Sequence, residues 1–171
     1  MGFHIEDGTG GGNSVKVDNE NRMHTTAVTE TYDNHANRLY GKTWSISFED
    51  LSPTGADDYV IYIKNTGDKV VNISDMRISS EVAATQIQLQ AVSGTAAGGS
   101  AITAVSRTVG SAATPSATIE SGNDITGLTS DGALFFMQLD TVAKEYHLST
   151  SSKIRIPKGK AVALCVKAST A

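Results

Sequence analysis

The chain has 171 residues, room for one domain with a core and an added arm, and its net charge of -4 excludes a molecule that binds nucleic acid with its whole surface. Charged residues make up 19%, below the roughly one quarter of average proteins. The single cysteine excludes an internal disulfide, and no run approaches the roughly 18 apolar residues of a bilayer span, so no membrane partner is expected.

Residues 1–42 show little sustained periodicity and few apolar side chains, which predicts an extended N-terminal arm. The opening MGFHIEDGTG lacks the apolar centre of a secretory signal, and Glu6 stands where myristoylation wants Ser or Thr. Synthesis in a cytoplasm is therefore expected. The segment GTGGGN invites a phosphate-loop reading. Gly8 and Gly10 fit G-x-G-x-x-G, but Asn13 takes the place of the third glycine. No hydrophobic strand precedes it and no helix pattern follows, so that reading is set aside. The next segment, NSVKVD, puts Val15 and Val17 on one side of a short strand-former. TTAVTETYDNHANRLYG is read as extended, because Thr and Val dominate its first half.

From Thr43 the pattern turns to period two. In TWSISFED, Trp44, Ile46 and Phe48 share one side and predict a strand with its core face there. A turn-rich loop around Pro53 and Gly55 follows. YVIYIK and KVVNIS are expected to form a hairpin across NTGD, with Asn65 and Gly67 supplying positive φ. TQIQLQAV alternates, with Ile87, Leu89 and Ala91 inward and Gln86, Gln88 and Gln90 outward. SGTAAGGSA is a tip, ITAVSRTV follows, and a short strand is expected at Ala117–Glu120. GALFFMQLD is the most apolar run and is read as a core strand covered on both faces. Two last strands flank the turn PKGK, with Pro157 at a strand end and Gly159 permitting the reversal.

About eight short strands without a long amphipathic helix predict an all-β antiparallel β-sandwich, jelly-roll-like, over residues 43–171, attached to the arm of residues 1–42. An immunoglobulin-like sandwich is the second choice.

Motifs for chemistry are thin. GKT at Gly41–Thr43 resembles the end of a P-loop, but Ala36 replaces the required first glycine and a strand follows. Asp18, Glu20, Asp57 and Asp58 offer oxygens to calcium, yet the spacing is not that of an EF-hand. No paired carboxylates, nucleophile elbow or Cys/His cluster is apparent, so neither an enzyme, a metal site nor a cofactor is expected. Cys165 lies in an apolar run and is read as a buried small hydrophobe. The sequon Asn72-Ile73-Ser74 is taken as a chance match. The row Gln86, Gln88, Gln90 is less ordinary. A free sheet face more often carries Lys, Glu or Arg, whereas uncharged amides suit a wet subunit interface.

The glycine-rich start, VKVDNENRMHTTAVTE, VIYIKNTGDKVVNIS and IRIPKGKAVAL together resemble small β-rich virion proteins of tailed bacteriophages. The resemblance implies a β-sandwich or jelly roll on the particle, a homotrimer, and an N-terminal extension used in assembly. The leading expectation is a capsid decoration, or cement, protein at the capsid surface that binds and stabilises the shell of major capsid protein. Within the arm, Val15, Val17, Arg22, Met23 and Val28 are the expected coat-binding residues. The valines can add a strand to an exposed edge, Met23 can fill an irregular pocket, and Arg22 can fork to a carboxylate. The alternative is a head-fibre or tail-fibre module that binds host-surface glycans through exposed aromatics such as Tyr32, Tyr40, Tyr59 and Tyr146.

Overall fold

The structure, a computed structural model, describes residues 42–49, 51–53, 57–82, 85–139 and 145–167. The arm residues Val15, Val17, Arg22, Met23 and Val28 lie outside the described residues. The ten described strands run in chain order, and no helix occurs among the described residues. They are β1 (Trp44–Ser45), β2 (Asp58–Asn65), β3 (Val71–Ile78), β4 (Thr85–Ala97), β5 (Ser100–Ala101), β6 (Val105–Ser106), β7 (Ala117–Ser121), β8 (Thr126–Leu139), β9 (Tyr146–Ile156) and β10 (Ala161–Lys167). Every strand pair is antiparallel. The protein is all-β.

One sheet has six strands in the order β5-β7-β2-β10-β4-β8; β3 pairs with β9, and β1 with β6. A single apolar row crosses four strands of the large sheet. Ile61 lies across from Leu164, Leu164 from Leu89, and Leu89 from Phe135. This face packs against the β3–β9 pair through Val71, Ile73, Met76, Ile78, Ile154 and the fully buried Ile156. The two sheets therefore enclose a common core, the arrangement of a β-sandwich. Each fully buried Leu or Ile there contributes roughly 1.5–3 kcal/mol. The register shift between Ile73 and Asp75 matters for β3. It changes the phase of the strand, so Val71 and Ile73 before it and Met76 and Ile78 after it all reach the same core.

Several expectations change. The hairpin across NTGD does not form: β2 pairs with β10 and β7, and β3 pairs with β9. Neither Asn65 nor Gly67 has positive φ. Instead, Asn65 is buried and donates to the carbonyls of Lys69 and Ile156, while the amides of Thr66 and Gly67 donate to Ser116 O. These bonds carry the chain from one sheet to the other. In TWSISFED only Trp44 and Ser45 join a ladder, although Trp44, Ile46 and Phe48 are half-buried and the residues between them exposed. The apolar run GALFFMQLD lies in β8, which among the described residues pairs only with β4 and forms one margin of the large sheet. Its Phe135 and Met137 pack on the core, while Leu134 and Phe136 are each 50% exposed. Covering on both faces was the wrong expectation there. β7 and the turn at Pro157 and Gly159 fall where expected, and Gly159 has φ of 74°.

Candidate interaction face

The large sheet has a second face, turned away from the β3–β9 pair. Alternation along β4 puts Gln86, Gln88 and Gln90 on it. The ladder to β8 sets Gln138 across from Gln86 and Phe136 across from Gln88. The ladder to β10 sets Cys165 across from Gln88 and Ala163 across from Gln90. Ala163 and Cys165 are small and completely buried, so longer neighbours close over them.

Gln90 is the hub of that covering. Its exposure is only 3%, against the expectation that it points into solvent. Its amide Nε2 donates to Gln88 Oε1 at 2.8 Å, and its Oε1 accepts from the Tyr59 hydroxyl at 2.9 Å. A buried amide with both ends engaged costs little and fixes its neighbours, whereas an unpaired one would be expensive. Gln90 is thus committed inside the chain. Gln86 and Gln88 are half-buried, and Gln138 and Phe136 are exposed beside them. Together they form an uncharged amide and phenyl strip along the β4–β8 ladder.

Burial dominates the electrostatics. It pushes the Tyr59 phenol above its ordinary range and the Cys165 thiol up to about 11. Cys165 is a neutral thiol with no nucleophilic character at physiological pH, as its apolar setting predicts. At the end of the strip Lys167 Nζ bonds to Asp57 Oδ1 at 2.9 Å, and that hydrogen bond holds the ammonium above its ordinary value. Asp57 has φ of 71°, the left-handed region that an Asp side chain tolerates better than most. Asp57, weighed above as a calcium ligand, is therefore engaged by an ammonium; Asp18 and Glu20 lie outside the described residues. Among the described residues no group of three or more His, Cys, Asp or Glu side chains converges.

The aromatics proposed for glycan binding divide. Tyr59 is tied to Gln90, and Tyr146 packs partly buried against the core at the start of β9. Both stand on strands, while Tyr32 and Tyr40 lie outside the described residues. Trp44 is half-buried and donates Nε1–H to Ala113 O at 3.0 Å. Reading the sequence missed Phe136 and Gln138 as members of the strip. The signal was present: Phe135, Met137 and Leu139 already take the core side at period two, which leaves Phe136 and Gln138 on the other. Comparison with family patterns, characterised proteins and solved structures finds no match for this chain.

Proposed function

We propose that the chain is a structural protein of a bacteriophage virion: a capsid decoration protein whose β-sandwich, jelly-roll-like in winding, assembles as a homotrimer on the shell and binds the major capsid protein. The observation that carries this reading is the strip of Gln86, Gln88, Gln138 and Phe136. Amides both donate and accept, so an amide strip complements a second amide strip without desolvating ions. An exposed phenyl at its centre supplies the apolar anchor that such interfaces favour. The arm residues Val15, Val17, Arg22, Met23 and Val28 are assigned to the coat protein, where repeated sites on a shell turn modest contacts into avidity.

The test is copy number in purified particles. Quantified against the coat protein, on the order of hundreds of copies supports decoration of repeated shell sites. A few copies at one vertex instead identifies a fibre module and overturns the proposal. A chain lacking residues 1–21 is expected to fold and to bind particles weakly; full binding by it removes the role given to the arm.

A further inference from the structure

β8 leaves its neighbour where two register shifts interrupt the β4 ladder. Leu89 pairs with Phe135 but Gln90 with Ala133, which leaves Leu134 as an extra residue; likewise Asp131 is extra between the Gly132 and Ser130 pairs. Bulges bend a strand and re-aim its side chains. Here they open a groove of about 290 Å3 between β8 and the turn that joins β9 to β10. Ala91, Ile156 and Val162 form an apolar floor, and the half-exposed Leu134 forms one wall.

Its charges are unbalanced. Arg155 and Lys160 also line the groove, both exposed, and neither has an ion-pair partner among the described residues. One carboxylate, Asp131, shares the groove, and it accepts a hydrogen bond from Ser93 Oγ at 3.0 Å. Two cations against one carboxylate make a locally positive groove in a chain whose net charge is -4. The guanidinium is a planar fork matched to a carboxylate, and the lysine adds a mobile second charge.

We propose that this groove docks a protein segment in which an acidic side chain neighbours an aliphatic one. The aliphatic side chain lies on Leu134 and the floor of Ala91 and Val162. The carboxylate lies between Arg155 and Lys160. The interrupted ladder makes β8 a poor template for an added strand, so recognition is by these side chains more than by the backbone. The site stands whether or not the protein belongs to a virion.

The experiment titrates the full 15N-labelled chain with the capped peptide acetyl-Ala-Leu-Glu-Leu-Ala-amide and with its Gln counterpart. The Glu peptide is expected to shift the amide signals of Ala91 and Lys160, and the Gln peptide to bind about tenfold more weakly, the loss of one charge-assisted contact. The double variant Arg155→Ala, Lys160→Ala is expected to keep its dispersed spectrum and lose the preference for Glu. Equal binding of the two peptides, shifts confined to another surface, or a preference that survives the double variant overturns the proposal. So does inorganic phosphate if it alone reproduces the shifts at the same concentration, since the groove is then a simple anion site.

Discussion

Asn65 ends β2 completely buried, and each polar atom of its side chain has a partner. Its Nδ2 donates to Lys69 O and Ile156 O, both at 2.8 Å, and its Oδ1 accepts from Gly67 N at 2.9 Å. Asn65→Ala strands the buried Ile156 carbonyl, removes the part-buried bond to Lys69 O and frees the turn that switches sheets. A loss of about 2–4 kcal/mol is expected in urea unfolding. A cost below about 0.5 kcal/mol, that of an ordinary surface change, would refute this role. Cys165 makes a second residue-scale case. Burial raises its thiol from an ordinary 9.0 to about 11, so the folded state favours the neutral form. The associated stability is fully present below pH 9 and is lost as pH rises from 9 towards 11. Cys165→Ala is expected to flatten the fall in melting temperature over that window. Tyr59 and Tyr62, also raised by burial, leave a residual slope. That Cys165 is buried was legible from its apolar run alone.

Among elements, the β4–β8 ladder depends on glycine where Gly94 and Gly127 lie close together across the two strands. Gly94 and Gly127 have φ of 102° and 76°. A Cβ on Gly94 would collide with Gly127 O, and one on Gly127 with Thr95 O. Gly132, further along β8, also has positive φ, 138°, but a Cβ there meets nothing within 4 Å. The pair separates backbone preference from steric exclusion. Gly132→Ala is expected to cost about 1–2 kcal/mol, the strain of an L-residue at positive φ. Gly127→Ala is expected to cost clearly more, because backbone cannot yield as a side chain does. Similar thermal shifts for the two variants would show that the strands separate freely there. The failed hairpin belongs to this scale too. Asn and Gly in NTGD are the residues of a tight turn, but the competing bonds to Ile156 and Ser116 come from more than forty positions away and are invisible to local turn chemistry.

At the scale of the molecule, the large sheet ends in poor edges. β5 has two residues, and β8 carries register shifts along its ladder. Natural sheets blunt their edges in these ways. The proposed assembly would therefore use a face, and the uncharged strip is a face with an exposed phenyl. Placing charges there, as Gln138→Glu with Phe136→Asp, both exposed, is expected to shift sedimentation toward a monomer. Circular dichroism and melting should change little, since exposed positions usually move stability by about 0.5 kcal/mol or less. An unchanged assembly state counts against the interface. The outer side of the β3–β9 pair contrasts with this strip. There Asp75, Arg77, Glu145 and His147 form an exposed charged ladder, the usual surface of a solvated sheet.

By itself the sequence determined the all-β class, the side each residue of β4 prefers at Ile87 and Leu89, the short strand β7 and the turn before β10. These follow from alternation and turn chemistry, which act within a few residues. Only the tertiary structure decided that β2 lies beside β10 and not β3, that Gln90 is buried although it lies on the second face, and that Leu134 and Phe136 stay half-exposed. Alternation states which side chains share a face. It says nothing of which strand lies alongside, or what covers the second face. Those outcomes come from matching apolar rows across distant strands and from bulges that shift their phase, and both exist only once the strands are brought together.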